Sequence, residues 1–385
     1  MSGPVRLIWG EDFMAYRLSE EHPLQPIRVK LAVELIRELG LIEFAELVPP
    51  RQASDEEIRL CHSARYVETV KALSDSSRRS GVSWSERVEA GFGSPDNPVA
   101  DGMHEACATI VGGSIVAAEA VHSGAVRHAF NPAGGLHHAS RDRAHGFCVY
   151  NDVAVAVGWL REQGHRVAYV DVDVHHGDGT QALFYSDPQV LTVSLHESGR
   201  YLFPGTGFPD EVGAGEARGT SANLPLQPYT WDEPMLAAFE AVVPPLLREF
   251  RPTVLVTQDG CDTHFLDPLA HLQCSTAVWP HFGRRFHELA HELCEGRWVA
   301  TGGGGYALRE VVPRAWALLF AEMVDRPELA AELVDPDSFP PGAQAQDRVW
   351  AFLERDLRQL SSQLGLPLQL RPPFNRKFLK TLNSA

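Results

Sequence analysis

The chain has 385 residues, 44% of them hydrophobic and 22% charged, which excludes an intrinsically disordered polypeptide and leaves room for a large core. Its 34 Lys and Arg against 50 Asp and Glu give a net charge of −16, so it lacks the basic stripe of a nucleic-acid binder and is poorly suited to anionic membrane surfaces. Six scattered cysteines (Cys61, Cys107, Cys148, Cys261, Cys274 and Cys294) contain no Cys-x-x-Cys pair and read as reduced, buried thiols. With no apolar run near the roughly 18 residues of a membrane span and no signal-peptide pattern over Met1 to Trp9, a cytoplasmic protein is expected, with neither nucleic acid nor membrane as partner.

In chain order, a helix is predicted over 26–39, with Pro26 where a first turn tolerates it, and a second over 102–122. A strand over 126–130 leads into a Gly-His cluster, followed by a helix over 151–163. Strands are predicted over 166–174 and 190–195, short and apolar with β-branched residues. The Gly- and Pro-rich stretch 211–228 reads as a surface loop. Then come a helix (230–250), a strand (253–257), a helix (278–295), a strand (298–301) and a helix (309–324). The stretch 336–345 reads as a linker, with a helix and a basic, Pro-containing tail to Ala385 behind it. Strand–helix alternation without hairpin signals predicts an α/β fold: a central, mainly parallel sheet with helices on both faces. No composition shift divides the chain, so 1–385 is read as one large domain, with a core over about 5–324 and no role assigned to 336–385.

Four polar clusters fall at the carboxyl ends of the predicted strands, where such sheets bind ligands. The first is Asp171-Val-Asp173-Val-His175-His176-Gly-Asp178-Gly179. At strand period Asp171, Asp173 and His175 share a side, and crowding carboxylates there is costly unless a cation is present. The second, Gly134-Gly135-Leu136-His137-His138-Ala139, places two imidazoles where they suit acid–base chemistry beside a metal-bound water, with Asp171 and Asp178 as carboxylate partners. The third, Gln258-Asp259-Gly260-Cys261-Asp262-Thr263, offers Asp259 or Asp262 to complete a metal site; alone it would read as a capped turn. The fourth, Gly302-Gly303-Gly304-Gly305-Tyr306, lacks the Lys-Ser/Thr of a phosphate loop. It can instead bring backbone close to a ligand and offer the Tyr306 hydroxyl to a developing oxyanion.

Together with Gly146-Phe147-Cys148, Asn151-Asp152 and Phe203-Pro204-Gly205-Thr206-Gly207, these motifs resemble the zinc-dependent histone deacetylases of the arginase–deacetylase superfamily, in particular the bacterial acetoin-utilisation (AcuC-type) deacetylases. The resemblance implies that Asp173, His175 and Asp262 are the zinc ligands, leaving an open position for water, and Fe2+ suits the same set. It makes His138 the general base and then acid, with His137 its electrostatic partner, Asp178 and Asp171 their carboxylates, and Tyr306 the carbonyl-polarising hydroxyl. Phe147, Phe203 and Gly146 would line a channel for acetyl-lysine, with Asp96 at its rim and Arg28 near an inner cavity. It also implies a structural K+ held by oxygens of Asp171, Asp173, His175, Ser194 and Leu195, and a second site at Phe184, Asp187 and Val190.

The implied activity is removal of acetyl groups from protein lysines, with acetyl-coenzyme A synthetase a natural partner by resemblance. Cys261 stands where many relatives carry Ala, and Leu202 where a second Phe is common. Leu269 stands where polyamine-selective relatives place an acidic residue. An acetylpolyamine amidohydrolase is thus the nearest rival, although the negative net charge attracts cationic substrates. An arginase-like binuclear site needs more metal-facing Asp and His than can be placed. An inactive acetyl-lysine binding module would not need the water-activating pair.

Overall fold

The apolar runs become strands buried along their whole length, which is why they show little polar alternation. In the computed structural model, which describes residues 5–370, eight strands form one sheet: β1 (Val5–Ile8), β2 (Ala45–Val48), β3 (His128–Asn131), β4 (Val167–Asp171), β5 (Val190–Glu197), β6 (Ser221–Leu226), β7 (Val254–Gln258) and β8 (Trp298–Thr301). Their order is β2-β1-β3-β8-β7-β4-β5-β6, and every neighbouring pair is parallel. From β4 the chain steps outward through β5 and β6, then returns to add β7 and β8 on β4's other side. The crevice at the carboxyl ends of β7 and β4 is therefore the topological switch point.

Helices cover the sheet in two groups. Met103–His122 packs with Asp152–Glu162, and Ile27–Glu38, Val312–Met323, Val278–Leu293 and Asp232–Phe250 pack in succession. Trp279, Trp298, Trp316, Phe239, Phe282 and Phe286 are among the largest fully buried side chains.

Several expectations need correction. The strand predicted over 166–174 ends at Asp171: the Asp171 carboxylate accepts the Asp173 amide at 3.1 Å, and Asp173 accepts the His175 amide at 2.9 Å. These local side-chain bonds turn the backbone out of the ladder. The stretch 211–228, expected to be a surface loop, contains β6, whose six residues are all buried. Its Asn and Pro disguised it, but β6 is an edge strand, where Pro is tolerated. Strands β1 and β2 were not predicted; each is only four residues long. The helix expected after the linker runs over Ala343–Leu364, starting inside the stretch read as linker. It packs on β6 through the buried face Val349, Leu353, Leu357 and Leu360, and so covers a sheet edge. The basic tail, from 371 on, lies outside the described residues.

Candidate active site

The segment leaving β3 is fastened by the start of a helix. Asn151 caps Asp152–Glu162 by accepting the Ala154 amide at 2.9 Å, and its side-chain amide donates to the carbonyls of His137 (3.0 Å) and Ala139 (3.1 Å). The neighbouring Asp152 accepts from the amides of Gly135 and Leu136, at 3.1 and 2.8 Å, and from the Ser114 hydroxyl. A buried carboxylate is tolerable only with donors of this kind, and here they fix the backbone that presents two histidines.

Those histidines carry separate carboxylates. His137 Nδ1 donates to Asp171 Oδ2 at 2.8 Å and His138 Nδ1 to Asp178 Oδ1 at 2.7 Å, while the two Nε2 atoms lie 3.1 Å apart. Asp171 also accepts the Tyr169 hydroxyl at 2.5 Å, and Asp178 accepts His145 at 3.2 Å. Burial opposes charge on His137, but Asp171 and Asp173 outweigh it and raise its pKa to about 9. Burial, helped by the adjacent His137 charge, depresses His138 to about 3 against the pull of Asp178. The pair thus holds one positive charge and one neutral ring.

Beyond them three donor groups converge. His175 Nδ1 lies 3.2 Å from Asp173 Oδ1 and 3.1 Å from Asp262 Oδ2, and all three side chains are buried. Four ligands at about 2.0–2.1 Å around a tetrahedral zinc stand roughly 3.3 Å apart, so this spacing suits the ion. Burial and the Asp173 charge push Asp262 up to about 7, a sign that the cluster is short of positive charge. The other Asp173 oxygen accepts Gln258 Nε2 at 2.7 Å and the Gly304 amide at 2.6 Å. A Cβ on Gly304 would fall 2.0 Å from Asp262 Oδ2, and one on Gly260 2.1 Å from Asp173 Oδ2; only glycine lets backbone come so close. Between Asp259 and Asp262 the choice falls to Asp262. Asp259 turns into the core, where Thr257 donates to it at 2.6 Å and burial pushes its carboxyl well above the usual range.

A cavity of about 220 Å³ leads in from the surface, lined by Asp96, His138, Gly146, Phe147, His175, Leu202, Phe203, Leu269 and Tyr306. Phe203 stands edge-on to His138 with centroids 5.0 Å apart, and Phe147 edge-on to Tyr306 at 5.9 Å. Phe147 holds a φ of 69°, and its carbonyl accepts the Tyr16 hydroxyl at 2.5 Å. The glycine loop is fixed rather than free: Gly302–Gly305 are buried, Arg28 Nη1 donates to Gly305 O at 3.1 Å, and Asp267 accepts the Tyr306 amide at 2.7 Å. Burial, then Asp262 and Asp173, keep the Tyr306 phenol far above its ordinary pKa, so it stays a donor.

Every residue expected at the metal cluster, the His-Asp pairs and the channel therefore meets at one place. Of the expected monovalent-cation groups, Asp171 and Ser194 are register partners across β4 and β5, with Leu195 next along; the Ser194 hydroxyl contacts His196 Nδ1 at 2.8 Å. At the expected second position the Asp187 carboxylate pairs with Arg161 and accepts the Gln189 amide. Gln258, Asp267, Tyr169, His145 and Tyr16 received no role from the sequence. Tyr169 was findable, since it lies two residues before Asp171 and so shares its face. Gln258 ends β7 beside the Asp259–Asp262 cluster, Asp267 follows Asp262 by five residues and His145 immediately precedes Gly146; Tyr16 alone lies far from every cluster in sequence.

Residues 22–323 match the histone deacetylase domain family. Acetoin utilization protein AcuC of Bacillus subtilis (strain 168) is 43% identical over 318 residues, covering 82% of this chain and 81% of its own. The AcuC proteins of Staphylococcus aureus (strain MSSA476) and Staphylococcus xylosus are 38% and 37% identical, covering 85% and 82% of this chain and 83% and 82% of theirs. No helix among the described residues is long and apolar enough to cross a membrane.

Proposed function

We propose, from the premise that this chain belongs to the histone deacetylase family and is a deacetylase, that it is a metal-dependent hydrolase of protein acetyl-lysine, releasing lysine and acetate in the cytoplasm. The observation that carries the reading is the cavity itself: an aromatic, largely apolar passage ending on Asp173, His175 and Asp262, with His138 and Tyr306 beside them. Its walls suit the butyl stem of a lysine, and its end suits an amide carbonyl.

When bound by Asp173, His175 and Asp262, zinc (or Fe2+) supplies Lewis-acid polarisation of the acetamide carbonyl and activates water near neutral pH. The neutral His138 ring, oriented by Asp178, takes the proton of the attacking water. The Tyr306 hydroxyl donates to the oxygen of the tetrahedral intermediate, where one placed donor contributes about 3 kcal/mol. His138 then returns the proton to the lysine nitrogen as the C–N bond breaks, and His137 with Asp171 balances the charge as it shifts. Phe147 and Phe203 flank the side chain, Gly146 leaves it room, and Asp96 at the rim accepts from substrate backbone amides. Asp171, Asp173, His175, Ser194 and Leu195 would hold K+ through their oxygens.

An acetylated polyamine is the alternative substrate. Leu269, on the cavity wall, places an alkyl group where a distal ammonium would call for a carboxylate, and this favours protein lysine. Acetyl-coenzyme A synthetase is the protein target we propose by resemblance. The test is acetate release by zinc-reconstituted protein from an acetyl-lysine peptide and from acetylspermidine, with His138→Ala and Tyr306→Phe as controls. Peptide turnover is expected, lost in His138→Ala and reduced about 10²- to 10³-fold in kcat by Tyr306→Phe with zinc still bound. Preference for acetylspermidine would transfer the assignment to polyamines. Near-normal turnover in Tyr306→Phe would remove that hydroxyl from the mechanism.

A further inference from the structure

At the other end of the sheet a second group of imidazoles converges. His128 opens β3 and is completely buried. His287 and His291 lie four residues apart on the helix Val278–Leu293, so they share one face. Their ring centroids are 4.7 Å from each other and 4.7 and 5.2 Å from His128. One nitrogen from each of the three rings lies within 4.8 Å of the other two. Neither nitrogen of His128 has a hydrogen-bond partner. The Arg127 and Gly296 carbonyls are near enough to influence its titration, but neither meets the ring with hydrogen-bond geometry. A buried imidazole without partners is costly and calls for something to occupy it.

We propose that His128, His287 and His291 form a second metal site, binding a divalent first-row transition cation of the zinc class through three imidazole nitrogens. Imidazole is a preferred ligand of such ions, and three rings with a water complete a tetrahedron. His287 Nδ1 donates to the Glu322 carbonyl at 3.0 Å, which fixes its tautomer and leaves Nε2 as a lone pair, the outer-shell arrangement metal-binding histidines use. Tetrahedral ligands stand about 3.3 Å apart and the three nitrogens lie within 4.8 Å of one another, so the rings have at most about 1.5 Å to close. His291 is exposed and can rotate to do so while His287 keeps its bond to the Glu322 carbonyl. The Arg127 guanidinium, which donates to Glu295 O at 2.6 Å, opposes the ion; three neutral ligands outweigh one solvated cation. The ion would clamp the helix Val278–Leu293 to the amino end of β3.

Equilibrium dialysis of the tag-free full chain against micromolar Zn2+ tests this. The double variant His287→Gln/His291→Gln, altered only on the solvent side of the cluster, is expected to hold one ion fewer per chain than the parent. Equal stoichiometry would overturn the site. Diethyl pyrocarbonate labelling gives an independent readout: Zn2+ is expected to protect His287 and His291 in the parent chain, and undiminished labelling at saturating Zn2+ would overturn it as well.

Discussion

At the carboxyl end of the sheet His137 and His138 each face a carboxylate, 2.8 Å from Asp171 and 2.7 Å from Asp178, whereas at the amino end His128 is equally buried with no hydrogen-bond partner at all. The titration behaviour follows. His137 is lifted to about 9 against burial by Asp171 and Asp173, while burial takes His128 to about 3. Burial alone strips an imidazole of its proton; anionic neighbours decide which ring keeps one. His138 shows the two effects in competition. It has a carboxylate, but burial, together with the charge His137 already holds beside it, keeps it neutral. One end of the sheet thus pairs a charged ring with a neutral one, and the other leaves a buried ring without any anionic neighbour to restore its charge.

The widest breach of this contrast is Asp178→Asn. The amide keeps the size of the carboxylate but can neither fix the His138 tautomer nor stabilise its imidazolium, and kcat is expected to fall on the order of 10²- to 10⁴-fold. Zinc content should be unchanged, since Asp178 is no part of the ligand cluster. Turnover within a few-fold of the parent would show that His138 works without its carboxylate. A smaller effect is expected from Gln258→Leu, which removes the 2.7 Å donor from Asp173. Zinc affinity should drop about 10- to 100-fold, as for other partners of metal ligands, read by competition with a chelator. An unaltered affinity would leave the Gly304 amide as the donor that matters for Asp173.

The carboxyl end was far more legible in the sequence than the amino end, and the reason is local. Asp171, Asp173, His175 and Asp178 lie within eight residues, and His137 and His138 are adjacent. A strand-to-loop transition only has to turn them inward. The central strands were also readable, because their apolar runs are short and β-branched. By contrast β1, β2 and β6 are edge or near-edge elements, whose character comes from what packs on them. Pro225 and Asn223 in β6 are turn residues by composition, and only the helix Ala343–Leu364 across that edge makes their segment a buried strand. His128 and the His287–His291 pair are about 160 residues apart. No spacing rule joins them until β3 and the helix Val278–Leu293 are placed together.

That same helix supplies the smallest test of the contrast, because its first turns carry a histidine of the opposite kind. His281, 1% exposed, donates to Glu240 at 2.9 Å, and Glu240 also accepts Arg285 Nε at 2.7 Å. Burial works against the Glu240 charge, but His281 and Arg285 prevail and hold its pKa below the ordinary value. A depressed carboxyl contributes stability that is present above its unfolded pKa of about 4.3 and is lost as pH falls through the lower folded value. Glu240→Gln retains an acceptor without the charge, and is expected to cost about 1–2 kcal/mol at pH 7. The cost should shrink towards zero in acid, where the parent carboxylate is protonated too. Urea midpoints of parent and variant at pH 7 and at the lowest pH where both still fold measure both terms. A penalty of the same size at both pH values would mean that Glu240 acts through its two acceptor oxygens rather than its charge. Burial, which holds the His281 pKa down against the pull of Glu240, would then set the state of this ring with no measurable contribution from the carboxylate charge.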